Sequence, residues 1–351
     1  MDTFIMVAVA ISVFFLSYSW FLFITRKSPA SDFFLSAIIN QPTFPLLSLG
    51  GICFILAYFV AKDQADALVF LPLYCPLIFI LSSFLMLYLF NRFQTNKWQF
   101  LIILCFTLLN TLFLPADMNI TDGILPPLAE KILLALLWSL FAFMYFTLNG
   151  VEGVVSLQTL SVALGTMVLF ALGMISSLYG LYSCVFIALY LALNFFTSFP
   201  SSIKLSSSDC RIIGFMLGWL GILISLEGAG SCFIILSMYY IYETAIALVK
   251  KISFQNQFKL LTNNTFYARL ADAGVSPQNI GKFISRLNLV MIILACFQIY
   301  APNNYTMLIV AVFMIFWMTG KVTSSQEVNN HIFLTGNLLS MLKKSKKTPK
   351  E

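Results

Sequence analysis

Histidine is nearly missing from this sequence. His331 is the single example in 351 residues. That rules out a Ser/His/Asp set and an HExxH zinc motif, and His331 sits in a lysine-rich tail where solvation is its ordinary fate. Charge is equally scarce, with 10% charged residues against 60% hydrophobic, a composition no ordinary soluble domain tolerates. Nucleic-acid binding is excluded on the same ground, because no folded soluble domain exists to present a basic face. Cysteines number seven, but no CxxC or other metal-ligand spacing occurs. They read as small apolar residues in helix packing. Paired carboxylates and a phosphate-cradling glycine loop are also absent.

Long apolar runs are abundant. Eleven can be marked, at roughly 3–25, 44–61, 68–90, 98–114, 131–149, 154–176, 179–197, 212–226, 230–249, 287–301 and 305–320. Most are long enough to cross a hydrocarbon core of about 30 Å as a helix. Lipid supplies no backbone partner, so such runs must be helical. The fold class expected is all-α, a polytopic integral membrane protein with about eleven transmembrane helices. The first run is too long for a signal-peptide core and lacks a basic leader, so it is expected to be retained.

Charge distribution orients the chain. Eighteen of the twenty Lys and Arg residues lie in alternate gaps: Arg26 and Lys27, Arg92 and Lys97, Lys204 and Arg211, the 250–286 loop, and the 321–351 tail. The gap at 150–153 falls on the same side and carries only Glu152. The other side holds Lys62 and Lys131 among seven acids. Basic loops stay cytoplasmic, which places the N-terminus outside and the C-terminus inside. Residues 1–320 then form one membrane domain and 321–351 a basic cytoplasmic tail. The basic excess also attracts anionic headgroups.

The polar residues that break the pattern gather at the cytoplasmic ends of spans: Asn91-Arg92, Asn149-Gly150 with Glu152-Gly153, Lys204 with Asp209-Cys210-Arg211, Glu243, and the segment 263–276. Singly, each reads as an interface anchor. Together they suggest one shared site.

Those residues carry a resemblance. The chain is similar to the bacterial polyprenyl-phosphate N-acetylhexosamine-1-phosphate transferases (glycosyltransferase family 4-like), nearest to the undecaprenyl-phosphate GlcNAc-1-phosphate branch. The likeness covers roughly residues 1–320. Its best stretch has Glu243 where the family has Asp, followed by the basic pair Lys250 and Lys251. The family's His-x-His-His then falls on Thr265, Phe266, Tyr267 and Ala268, and its Ala-Gly on Ala273 and Gly274. The Pro…Gly-Gly-Ile pattern matches Pro45…Gly50-Gly51-Ile52. Asp-Asp-Arg-Phe matches Phe90, Asn91, Arg92 and Phe93. Asn-x-x-Asn-x-x-Asp-Gly-x-Asp-Gly matches 143–153, with Phe143, Phe146, Asn149 and Glu152 at the polar positions and Gly150 and Gly153 kept. A further motif acid falls on Asp209 when counted from Lys204, and on Ser207 when counted back from Gly214.

The resemblance implies a bacterial inner-membrane protein of polysaccharide biosynthesis. It also implies attack by undecaprenyl phosphate on a UDP-sugar, assisted by Mg²⁺. Mg²⁺ wants carboxylate oxygens, and here most motif acids and the histidines are replaced. We therefore expect a catalytically degenerate relative, a pseudoenzyme with no cofactor. Asn91, Asn149, Glu152, Asp209, Glu243, Thr265 and Tyr267 stand at its former catalytic positions. Arg92, Lys204, Arg211, Lys250 and Lys251 are expected to share one face and hold a lipid phosphate. Its partners would be membrane lipids, polyprenyl phosphate among them, and a protein docked on the 250–286 loop through Phe266, Tyr267 and Arg269. The alternatives are an active transferase with an altered, Mg²⁺-dependent site, and a transporter or flippase.

Overall fold

The computed structural model describes residues 3–26, 41–62, 74–114, 125–254, 265–272, 274–300 and 305–321. Every regular element among them is helical, as a chain with no water to bond its backbone must be. The order begins with α1 (Thr3–Arg26), α2 (Thr43–Lys62), α3 (Tyr74–Arg92), α4 (Asn96–Leu112) and α5 (Pro127–Met144), which tightens into a 3-10 turn at Tyr145–Leu148. Then come α6 (Val154–Ala171), α7 (Ser177–Thr197), α8 (Ser207–Leu226), α9 (Gly230–Leu236), α10 (Met238–Phe254), α11 (Phe266–Asp272) and α12 (Pro277–Ile299). The last described helix is α13 (Thr306–Lys321).

Among the described residues, seven helices are long and apolar enough to cross a membrane, or eight if α9 and α10 are one span bent by 64°. Helices α2, α4 and α13 fall outside that count, so the eleven expected spans exceed what helix length and composition establish. Their exteriors suit hydrocarbon. Phe15, Leu81, Phe195 and Phe313 lie between 61% and 67% exposed. Large apolar side chains exposed on so many helices mark a membrane or partner surface rather than a water-facing one. This is a membrane protein.

Helix α8 is the interior. Every residue from Asp209 to Ile224 is buried. Its start is fixed by a capping box. The Ser206 hydroxyl accepts the Asp209 N–H at 3.1 Å, and the Asp209 carboxylate accepts the Ser206 N–H at 2.8 Å. Glycines along α8 let bulky neighbours approach. A Cβ on Gly214 would strike Tyr145, one on Gly218 would strike Trp138, and one on Gly221 would strike Phe233. Small residues at helix crossings permit this closeness. Trp138 uses it fully. Its indole stacks on Phe215 at 4.6 Å, and its Nε1 donates to the Phe215 carbonyl at 3.0 Å.

Some polar side chains inside the bundle are paired across helices. Asn110 of α4 donates to Ser82 of α3 at 2.8 Å, and Asn288 of α12 donates to Gln158 of α6 at 2.8 Å. Lys131, on the side poor in basic residues, donates to the carbonyls of Leu112 and Leu114 at the end of α4. A cation there satisfies helix-terminal carbonyls.

Gly218→Ala should therefore lower the melting temperature of the detergent-solubilised protein by several degrees, as overpacking of about 1–3 kcal/mol does. Gly281→Ala, where a Cβ meets nothing within 4 Å, should not. Equal melting of the two variants would show that the α5–α8 contact is looser than described.

Candidate functional site

Helices α6, α8 and α12 start, and α5, α7 and α10 finish, at one end of the bundle. Side-chain bonds tie that end together, and the polar residues singled out in the sequence are its members. The turn after α5 comes first. Asn149 donates through Nδ2 to the Leu205 carbonyl at 2.8 Å. Exposed Glu152 accepts the Ser201 N–H at 3.1 Å. Gly153 holds φ of +81°, and a Cβ on it would lie 3.1 Å from the Ser198 Cα. The left-handed conformation and the close backbone both require glycine there. Asn149, Gly150, Glu152, Ser201, Lys204 and Leu205 line a cavity of about 220 Å³. The structure thus brings Asn149, Glu152 and Lys204 together as one site, with Lys204 exposed beside it. A larger groove, of about 490 Å³, lies on the other side of Glu152 and Gly153.

The other candidates serve as joints. Asp209 is buried, and both of its oxygens are engaged. Oδ1 accepts the Thr43 hydroxyl at 2.9 Å, and Oδ2 accepts the Ser206 hydroxyl at 2.6 Å and its N–H. Ser207, the other candidate for that motif position, is exposed. Asn91 is half-buried and accepts from Gln41 Nε2 at 2.6 Å. Arg92 is exposed at the end of α3.

Glu243 is 0% exposed and accepts from the Tyr239 hydroxyl and the Phe266 N–H, each at 2.8 Å. A carboxylate at the first N–H groups of α11 is favourably placed against the helix dipole. Thr265 and Tyr267 are also buried. The Tyr267 hydroxyl donates to the Thr147 carbonyl and accepts the Gly150 N–H at 3.1 Å. Burial, the largest cause, pushes the phenol well above its usual range, so it stays a donor.

Two expectations are corrected here. Arg211 does not share an open face with Lys204. It is 1% exposed, donating to Asn96 Oδ1 at 2.8 Å, to Gln99 Oε1 and to the Phe143 carbonyl at 3.3 Å. Its guanidinium lies 4.5 Å from the Phe143 ring and 4.7 Å from the Phe146 ring. Phe266 and Tyr267 are not presented for docking either. They are 2% and 0% exposed, because α11 packs inward on Glu243 and the 145–150 turn. The side chains of Lys250, Lys251 and Arg269 lie outside the described residues.

The Mg²⁺ that the resemblance implies does not fit these residues. Asp209 is buried, and both of its oxygens accept hydrogen bonds from its own chain. Among the described residues no three His, Cys, Asp or Glu side chains converge. A hard cation needs several oxygen ligands at once. Sequence reasoning missed Thr43, Gln41, Asn96 and Gln99, the partners of the motif residues, since nothing in a lone Thr or Gln near a helix start signals its partner.

Compared with known proteins, the chain matches no family model and no curated protein.

If Glu243 is a joint, Glu243→Ala should free α11 and sharply increase limited proteolysis between residues 255 and 272. Glu243→Gln keeps an acceptor oxygen for the Phe266 N–H and should leave the cleavage pattern close to wild type. A Gln variant as labile as the Ala variant would show that the charge, not the hydrogen bond, is what matters.

Proposed function

We propose that this chain is a catalytically degenerate relative of the polyprenyl-phosphate sugar-1-phosphate transferases. On this reading it crosses a bacterial plasma membrane eleven times, with its N-terminus outside and its C-terminus cytoplasmic. It serves cell-envelope glycan assembly by holding a lipid phosphate, polyprenyl phosphate being the fitting kind.

One observation carries the reading. Asp209, Glu243 and Tyr267, which stand where the family's acids and a histidine would act, are buried and hydrogen-bonded to the scaffold. A carboxylate buried in the bundle, its oxygens turned to hydroxyl and N–H donors of its own chain, is poorly placed to reach a metal or a pyrophosphate. Losing one transition-state contact of this kind costs about 10²–10³ in rate, and phosphoryl transfer depends on several together. What stays open is the cavity beside Lys204, whose ammonium can meet a phosphate oxygen by a charge-assisted hydrogen bond. Docking of a protein on Phe266 and Tyr267 is no part of this reading, because both are buried.

One feature favours the runner-up, an active transferase with a rebuilt site. Glu152 is an exposed acid that lines both cavities. A single assay separates the readings. Purified protein given UDP-GlcNAc, undecaprenyl phosphate and Mg²⁺ should release no UMP above background. Turnover that Glu152→Ala abolishes would establish the active transferase instead.

Orientation is tested separately. A reporter fused after Glu351 should read cytoplasmic, and one inserted near residue 120 external. A cytoplasmic signal at residue 120 would sink the eleven-span topology.

A further inference from the structure

We propose that the groove between α6, α7 and α12 binds the phosphomonoester head of one membrane lipid, with Lys282 and Arg286 as its anion-holding pair. This rests on the lipid-phosphate reading above and moves the phosphate from the cavity beside Lys204 to the larger groove, outside the motif residues.

The groove of about 490 Å³ has apolar wall residues in Val154, Leu157 and Phe199, and a basic wall in Lys282 and Arg286. The two cations are one helical turn apart, hence on one face of α12. Both side chains are exposed. Both project from the first turns of α12, beside the apolar wall of the groove. An anion held there meets two cations at once by charge-assisted hydrogen bonds.

Charge selects the head. A phosphomonoester carries about −1.5 to −2 at pH 7, which two cations match, whereas a diester carries one charge. Arg presents a fork of donors suited to two phosphate oxygens, and Lys adds a point charge. The acid on the rim, Glu152, is directed to the Ser201 N–H and repels an anion straying from α12 toward the smaller cavity. The walls select the tail. Phe199 is half exposed, at 49%, and Leu157 is half-buried, so the apolar side of the groove opens toward the exterior, where a hydrocarbon chain would lie.

The test is native mass spectrometry of the full chain in detergent, titrated separately with undecaprenyl phosphate, phosphatidic acid, phosphatidylcholine and inorganic phosphate. One-to-one adducts are expected with the first two and not with phosphatidylcholine. The double variant Lys282→Gln, Arg286→Gln should weaken both adducts about tenfold or more, the scale of lost charge-assisted hydrogen bonds, while its melting temperature stays at the wild-type value. Lys204→Gln should weaken them much less. Undiminished adducts in the double variant, with loss in Lys204→Gln, would overturn the groove and leave the lipid-phosphate reading standing. No phosphomonoester-lipid adduct in the wild type would overturn both. Inorganic phosphate displacing the lipids at equal concentration would overturn the lipid as occupant.

Discussion

The charge on Arg211 has to be held inside a bundle that excludes water, and one end of the protein is arranged around holding it. An isolated buried cation is among the most costly groups a protein can contain. This one is surrounded by acceptors from two helices: Asn96 and Gln99 of α4, and the Phe143 carbonyl at the end of α5. Two aromatic faces complete the cage, and each contributes further attraction to a desolvated guanidinium. Removing any acceptor leaves the charge partly unmet, so the ends of α4 and α5 are not free to drift. Two residues earlier on α8, Asp209 binds Thr43 and so ties in α2. The first turn of one helix thereby fixes three others, and the 145–153 turn that forms the cavity follows directly from the clamped end of α5.

The same logic extends to the next joint along the chain. Glu243 and Tyr267 close α11 against the bundle by bonding the Phe266 N–H, the Thr147 carbonyl and the Gly150 N–H. A catalytic carboxylate has to keep an oxygen open to substrate or metal. A structural one does best when its acceptors are all used, because a buried unmet acceptor costs about 1–3 kcal/mol. The two demands oppose each other at a single residue. Asp209 and Glu243 stand on the structural side, while Glu152 is exposed.

Helix positions were legible because hydropathy and the absence of backbone partners in lipid decide them together. The run marked at 179–197 became Ser177–Thr197, and the run at 154–176 became Val154–Ala171. The break between α9 and α10 was not legible. It falls at Leu236-Ser237-Met238, with neither proline nor glycine to announce it, the two residues by which a sequence most plainly signals a kink. Arg211 read as a surface cation because arginines near helix ends usually reach out to headgroups. Its burial depends on Asn96 and Gln99, more than a hundred residues away in sequence, and such pairings have no local period. Lys131 looked like an exception to the charge rule. It is a helix cap, donating to the carbonyls of Leu112 and Leu114, a local task that a count of charges does not register.

The turn at 149–153 has a physical reading of its own. Gly153 holds a positive φ with the Ser198 backbone against it. Replacing it would strain the turn whether or not any chemistry happens nearby. Asn149 answers to a different demand. It serves the fold by donating to the Leu205 carbonyl, which a carboxylate cannot do because it has no proton to give. At that position the neutral amide is the better structural residue and the worse metal ligand. With Glu152 and Lys204 lining the same cavity, the amide holds the turn in place without adding a second negative charge there.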